Sequence, residues 1–305
     1  MPVQLEPRAL RSLGALRASG ADALTYLQGQ LSADLRAFQA GQLGWAGLHS
    51  PQGRVLALLA LAPLAGAAGA GDGAAPADWV AVLPAALAAT AAAALRRFVL
   101  RARVRIDVSP AGAVCLPGGD LPAGAHALRH PSGSMLWWLP AGGAAPADAG
   151  AQAARECAEL QLGLPTVLPE TSGSFVAQML NLDCIGAIAF DKGCYTGQEV
   201  VARAHYRGRV KRRMQRFAAA SLPHAPDGGE LPPGSALRLA DGRSAQLVRS
   251  APQPDGSVQF LAVCAWPPGD EAAGQSAGHG AGDGAGDAAS RVDSRPLPLP
   301  YPLPQ

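Results

Sequence analysis

The chain alternates between two hydrophobic rhythms. Near its start, "ALRSLGALRASGADALTYLQGQLSADL" predicts a strand over residues 10 to 17, then a short helix from about Asp22, with Asp34 closing the unit. "WAGLHSPQGRVLALLAL" predicts a hairpin: residues 45 to 49 rise to a Pro-Gln-Gly turn at 51 to 53, and an apolar strand returns from Val55. "DWVAVLP" predicts another strand, and the Ala-rich "AALAATAAAALRRFVL" a helix on propensity. "RARVRIDV" alternates basic and apolar residues, as a strand with one solvated face does. "SMLWWLP" is a further strand, with Trp137 and Trp138 on opposite faces. One would be core and the other is open to lining a flat-ligand pocket. "DAGAQAARECAELQLGLP" is a helix stopped by Gly163 and Pro165.

Strands and helices alternate irregularly through residue 209, with hairpins among them, which points to α+β layers rather than a doubly wound parallel sheet. From 210 the rhythm shortens to "RVKRRMQRFA", "SALRLA", "SAQLVRS" and "VQFLAVCAW", with turns at Asp241-Gly242 and Asp255-Gly256. This is the pattern of a small antiparallel barrel. Residues 66 to 78 and 267 to 290 are Gly/Ala-rich and of low complexity, which predicts disorder. The end, "RPLPLPYPLPQ", is proline-rich and extended, either docked or free. The boundaries are therefore expected at 1–209 for the α+β part, 210–266 for the barrel, and 267–305 for a linker and tail.

Composition narrows this picture in two ways. With 305 residues, 49% hydrophobic content and a formal charge of +2, the chain reads as an ordinary soluble protein without a membrane span. The N-terminus lacks the basic-then-apolar pattern of a secretory signal, so a cytoplasmic location is expected. Five scattered cysteines, none in a C-x-x-C pair, suggest neither a disulfide framework nor a metal site. The second clue is residue choice: of 25 basic residues only Lys192 and Lys211 are lysine, and Asn181 is the only asparagine. Lysine is a compact charge and arginine a rigid fork, so Lys192 is expected where a guanidinium does not fit.

Those rare residues surround "AFDKGCYTGQEVVARAHYRGRVKRRM", residues 189 to 214. "TGQE" reads as a capping box, Thr196 at the N-cap and Glu199 at N3, opening a helix from Gly197 to about Tyr206 with Gly208 as its stop. Cys194 would then lie near the positive end of the helix dipole with Lys192 beside it, a setting that favours thiolate. The competing reading is a small buried cysteine next to an ordinary helix start. Arg203, Arg207, Arg209, Lys211, Arg212, Arg213 and Arg216 form a basic run. Without these seven, 18 basic residues face 23 acidic ones, a balance of −5, so the positive charge is local. It suits RNA phosphates or a polyglutamate tail, with His205 and Tyr206 as stacking surfaces, or else a solvated, charge-protected edge. His49, at a strand end, reads as an ordinary, partly exposed histidine. No Walker A, G-x-G-x-x-G or H-E-x-x-H pattern occurs.

"KGCYTGQEVVARAHYRGRVKRR" closely resembles the K-G-C-Y-T-G-Q-E signature of the YgfZ family of folate-binding, iron–sulfur cluster maintenance proteins. That family is related to the T-protein (aminomethyltransferase) of the glycine cleavage system. "YLQGQLSAD" (26 to 34), "LHSPQGRV" (48 to 55), "LGLPTV" (162 to 167) and "PLPYPL" (298 to 303) resemble it in the same order. The resemblance implies two ferredoxin-like α+β subdomains and a C-terminal antiparallel β-barrel around a central channel that binds tetrahydrofolate. It also implies a role in assembling or repairing iron–sulfur clusters, including those of enzymes that methylthiolate tRNA, with such enzymes or cluster-assembly proteins as partners. Carried over, the signature makes Cys194 the functional thiol with Lys192 beside it. Gly193, Tyr195, Thr196, Gly197, Gln198, Glu199 and Arg203 become the folate-binding residues, and no metal ligand is implied.

Two other readings remain. In an aminomethyltransferase an aspartate would stand in the strand equivalent to "QGRVLALL", where this chain has Ala57 or Leu58, neither able to accept a proton. An RNA-binding module would act through residues 203 to 216. One cysteine cannot hold a stable cluster, which takes four ligands; Cys184 is a second ligand only if the fold brings it near.

Overall fold

The computed structural model describes residues 7–64, 77–142, 145–208, 210–266 and 289–304. The two low-complexity segments and Arg209 lie outside or almost wholly outside these residues. The chain divides into two compact units, Met1–Gln152 with Gly186–Gln198, and Ala153–Ile185 with Glu199–Gln305.

The first unit contains β1 (Arg8–Ala9), β2 (Leu13–Ser19), α1 (Ala23–Gln30), β3 (Gly44–His49), β4 (Val55–Pro63), β5 (Asp78–Pro84), α2 (Ala85–Arg96), β6 (Arg105–Val108), β7 (Val114–Leu116), β8 (His126–Arg129) and β9 (Met135–Trp138). Its five-stranded sheet has the order β3-β4-β5-β2-β6 and its four-stranded sheet β1-β7-β9-β8, with antiparallel pairing throughout both. Alternation along the strands sends two sets of side chains to opposite faces. Ala15, Ala60, Ala62, Val80 and Val82 share a core with Val114, Leu128, Leu136 and Trp138 of the small sheet. Leu16, Ala18, Leu59, Leu61 and Trp79 turn the other way, against Leu27 of α1 and Leu95 of α2. A sheet covered on both faces needs apolar residues at consecutive positions, which is why "VLALLALAP" shows no alternation. Gly14 lets α2 sit close: a Cβ there would lie 3.1 Å from the Ala85 Cα.

The chain passes into the second unit within α3 (Ala149–Gln161). It continues through α4 (Gln198–Tyr206), β10 (Arg212–Ala219), β11 (Ala236–Arg238), β12 (Ser244–Pro252), β13 (Val258–Ala265), β14 (Ser290–Arg291) and β15 (Ser294–Leu297). These strands form one six-stranded sheet, β14-β11-β12-β13-β10-β15, curled about Phe217, Leu247, Phe260 and Ala262. Gly242 and Gly256 take φ of 87° and 82°, as the predicted turns require. The proline-rich end docks: β15 pairs with β10 as an edge strand, where Pro296 is tolerated. The Trp266 indole then donates to the Pro304 carbonyl and the Tyr301 hydroxyl to the Gly163 carbonyl.

The architecture is α+β, as the two rhythms predict, and the expected antiparallel barrel is a half-barrel sheet whose β11–β14 pair is parallel. Three local expectations change. "RARVRIDV" is strand only over Arg105–Val108, and residues 97 to 104 form an irregular connection. Both tryptophans are buried, and the Trp138 indole donates to Ser109 Oγ at 2.9 Å, so neither offers a ligand face. His49 is 2% exposed rather than partly exposed. Among the described residues no helix is long and apolar enough to cross a membrane.

Candidate functional site

In the first unit the signature stretch is laid over the end of α1 and the β3–β4 turn, and each anchor has a physical cause. Ser32, fully buried just past α1, ties three strands of chain together. Its amide donates to the Gly47 carbonyl at 3.1 Å and its hydroxyl accepts from the Gly47 amide at 2.9 Å. The same hydroxyl donates to the Ala187 carbonyl at 2.7 Å, and the Ala189 amide donates to the Ser32 carbonyl at 2.9 Å.

Lys192 makes the next anchor. Its ammonium donates to the carbonyls of Gln28 and Leu31 at 2.7 Å and of Ala33 at 2.8 Å. These carbonyls lie at the C-terminal end of α1, where backbone acceptors lack intrahelical partners and the helix dipole favours a cation. Three acceptors around one point match the three N–H bonds of an ammonium; a planar guanidinium cannot meet them together. The ammonium also lies 5.3 Å from the centre of the Tyr195 ring. Burial pushes its pKa down to about 8, with Asp34 acting in the opposite direction and Arg36 in the same one.

Gly197 closes the far end. Its φ is +81°, and a Cβ there would stand 2.5 Å from the Ser50 carbonyl oxygen and 3.0 Å from the Gly53 Cα. Only glycine lets the loop sit so close to the β3–β4 turn. Between the anchors, Tyr195 is 6% exposed with its phenol pushed up to about 12 by burial, while Gly193 and Cys194 face solvent.

The capping box does not form. The helix begins at Gln198, and Glu199 instead pairs with Arg203 at 2.7 Å, both side chains largely exposed. The reach-back is made one residue earlier, by Gln198 Oε1 accepting from the Tyr195 amide at 3.3 Å. Thr196 Oγ1 contacts Gln30 Oε1 at 3.4 Å. The positive φ of Gly197 takes the chain off the path that an N-cap threonine needs. Lys192 is likewise turned inward onto carbonyls, so its charge serves the loop's shape and is not spent on the Cys194 sulfur. Cys184 lies in the second unit, its thiol pushed up to about 11 first by burial and then by Asp183.

Sequence reasoning missed His49. Beside it, β4 carries an extra residue: Leu48 pairs with Ala57 but His49 with Val55. The imidazole is tilted 46° to the Tyr195 ring at 6.1 Å between centres, and among the described residues neither ring nitrogen has a partner within hydrogen-bond geometry. Burial pushes its pKa down to about 4, and the Gly47 backbone only partly offsets that. The one available signal was its place between Gly47 and the Pro-Gln-Gly turn.

The chain is 32% identical over 287 residues to the tRNA-modifying protein YgfZ of Edwardsiella ictaluri (strain 93-146), covering 81% of each. It belongs to the YgfZ family. An uncharacterised protein of Haemophilus influenzae is 42% identical over 110 residues, 35% of this chain and 38% of its own. No protein-family model matches. The crystal structure of glycine cleavage system aminomethyltransferase T from Bartonella henselae superposes with a TM-score of 0.56 over 86% of this chain and 78% of that one. At 12% identity it shares the fold.

Family membership gives the signature its context; the geometry says what each residue does in it. Ser32, Lys192, Tyr195 and Gly197 shape the loop. Cys194, Thr196 and Gln198 keep exposed or half-exposed groups. In β4, Ala57 and Leu58 are 1% and 4% exposed and carry nothing ionisable. The basic run does not form one surface. Arg213 is buried in a forked pair with Asp183, Arg216 donates to the Gln161 carbonyl and Arg212 to that of Val263. Among the described residues no three His, Cys, Asp or Glu side chains gather as a metal site.

Proposed function

We propose that this protein binds a tetrahydrofolate and supports the assembly or repair of iron–sulfur clusters in client enzymes, including those of tRNA methylthiolation, in the cytoplasm. The observation that carries the reading is the presentation of Cys194. The loop is fixed by a tripod of carbonyls at Lys192 and by a glycine-only contact at Gly197, and between them it holds one thiol out to solvent. A loop pinned this firmly around a solvent-facing nucleophile is organised for chemistry with a partner.

The loop also suits the folate. A pteridine offers an edge of neutral donors and acceptors, and Thr196, Gln198 and Gln30 supply hydroxyl and amide groups, each half-exposed. Thr196 and Gln198 would touch the ligand, with the Gly193 backbone beside them, while Tyr195 and Gly197 hold the loop in shape. Glu199 and Arg203, which the family signature carries over as ligand residues, form an exposed pair with each other in the second unit. When bound, the tetrahydrofolate supplies a one-carbon carrier. Cys194 would contact an iron–sulfur cluster, the cargo, only transiently, since one thiolate is far short of the four ligands of a stable site. The two ferredoxin-like subdomains implied by the family belong to this reading. Aminomethyl transfer is disfavoured, because the buried Ala57 and Leu58 offer no proton acceptor.

Calorimetric titration of tetrahydrofolate tests the ligand, and complementation tests the thiol. Thr196→Ala and Gln198→Ala should each weaken folate binding about five- to tenfold, the scale of one lost hydrogen bond to a ligand. Cys194→Ala should bind folate unchanged yet fail to restore a cluster-dependent tRNA methylthiolase in cells lacking the protein. Full restoration by that variant would remove the thiol from the mechanism, and absent folate binding would remove the ligand.

A further inference from the structure

The first unit carries a second concentration of charge, independent of the signature loop. Residues 96–105, "RRFVLRARVR", contain five arginines and no acid. Three of them have structural work. Arg96 donates twice to the Ile106 carbonyl, at 2.9 and 2.6 Å, Arg103 pairs with Asp22 and Arg105 with Asp107. Arg97 and Arg101 have none: both are exposed, and among the described residues no carboxylate pairs with either. Apolar side chains stand between them in water, Phe98 46% and Leu100 86% exposed. The Arg97 guanidinium carbon lies 6.0 Å from the centre of the Phe98 ring.

Leu100 is the most exposed of the large apolar side chains among the described residues, and Phe98 stands two residues before it. A helix C-terminus gains from one cation, which Arg96 already provides. We infer that the connection between α2 and β6 is an RNA-binding surface, with Arg97 and Arg101 taking phosphates and Phe98 stacking an unpaired base. Free guanidinium groups alternating with an exposed aromatic ring are the elements of single-strand recognition, where phosphate contacts give affinity and stacking tolerates any base. A protein partner would require a broad apolar patch, whereas here the exposed apolar groups, Phe98 and Leu100, belong to one three-residue stretch with an arginine at each end.

The probe is an unmodified tRNA transcript titrated into the full chain, with binding followed by fluorescence anisotropy across a salt series. Arg97→Gln with Arg101→Gln should weaken binding at least about tenfold at low salt and lower the slope of log K against log salt by about 1.5. Phe98→Ala should weaken it about fivefold or more with the slope unchanged, because stacking releases no counterions. Arg207→Gln with Lys211→Gln, on the other unit, should leave binding unaltered. All three variants change exposed side chains, and unchanged thermal unfolding confirms that they fold. The inference is overturned if tRNA does not bind at low salt, or if the Arg207 and Lys211 variant loses as much as the Arg97 and Arg101 variant. It is equally overturned if Phe98→Ala is silent, or if polyglutamate or anionic vesicles bind this face as tightly as the transcript.

Discussion

Lys192 and Arg213 come from one short stretch of sequence, and each is buried, but the two units bury them by different means. In the first unit the Lys192 ammonium takes three backbone carbonyls and, among the described residues, no anion. In the second, the Arg213 guanidinium takes both carboxylate oxygens of Asp183, at 3.0 and 2.8 Å, and the Gln178 carbonyl at 3.1 Å. A point charge suits a ring of dipoles, and a planar fork suits a carboxylate. The difference separates roles: Lys192 shapes the candidate site, whereas Arg213 belongs to the frame of the half-barrel unit.

The largest effect should come from breaking the forked pair. Arg213→Met leaves Asp183 buried and unpaired, which typically costs about 3–5 kcal/mol. Chemical denaturation should show that loss, and adding Asp183→Leu should recover much of it, since an apolar pair carries no stranded charge. A double variant as unstable as the single one would mean that Arg213 acts through its carbonyl contacts, as Lys192 does.

Lys192→Met should cost less, about 2–4 kcal/mol, because it strands carbonyls rather than a charge. Lys192→Arg is the sharper variant. If the tripod matters, arginine is also destabilising despite keeping the charge, and the Cys194 thiol reacts with an alkylating reagent at a changed rate because the loop shifts. Lys192→Arg with wild-type stability would dissolve the contrast between the two cations.

How much of this was readable follows from the same two residues. The rarity of lysine in an arginine-rich chain marked Lys192 as special, and the ring of carbonyls explains it. The only asparagine had an equally local cause. Asn181 has φ of 56°, the only non-glycine residue with positive φ among the described residues, and its amide donates to the Met214 carbonyl at 2.8 Å. The strand rhythm gave the hairpin of β3 and β4, the helices α2 and α3, and the half-barrel strands, since burial on one or both faces writes itself into spacing. Direction was not readable. Spacing placed Lys192 near Cys194, but whether its ammonium faced the sulfur or the end of α1 depends on a helix over 160 positions earlier in the chain. The capping box failed for a similar reason: the close approach of the β3–β4 turn to Gly197 outweighs about 1 kcal/mol of local preference.

His49 completes the comparison as a third buried nitrogen base, one with no carboxylate and only the Gly47 backbone nearby to favour its charge among the described residues. It stays in the fold by remaining neutral, with its pKa pushed down by burial to about 4 from 6.5. A base with a depressed folded pKa binds fewer protons folded than unfolded between those values. Stability should therefore be intact above about pH 6.5 and fall as acid is added towards pH 4. At pH 5 the part due to His49 is about 2 kcal/mol. Thermal unfolding at pH 7.5 and pH 5, compared between the wild type and His49→Gln, isolates it from every other titrating group. The variant should lose less stability on acidification by about that amount. An equal loss in both proteins would mean that water or a ligand reaches the ring and takes its proton load, and His49 would then belong with Lys192 as a served group instead of standing apart as an unserved one.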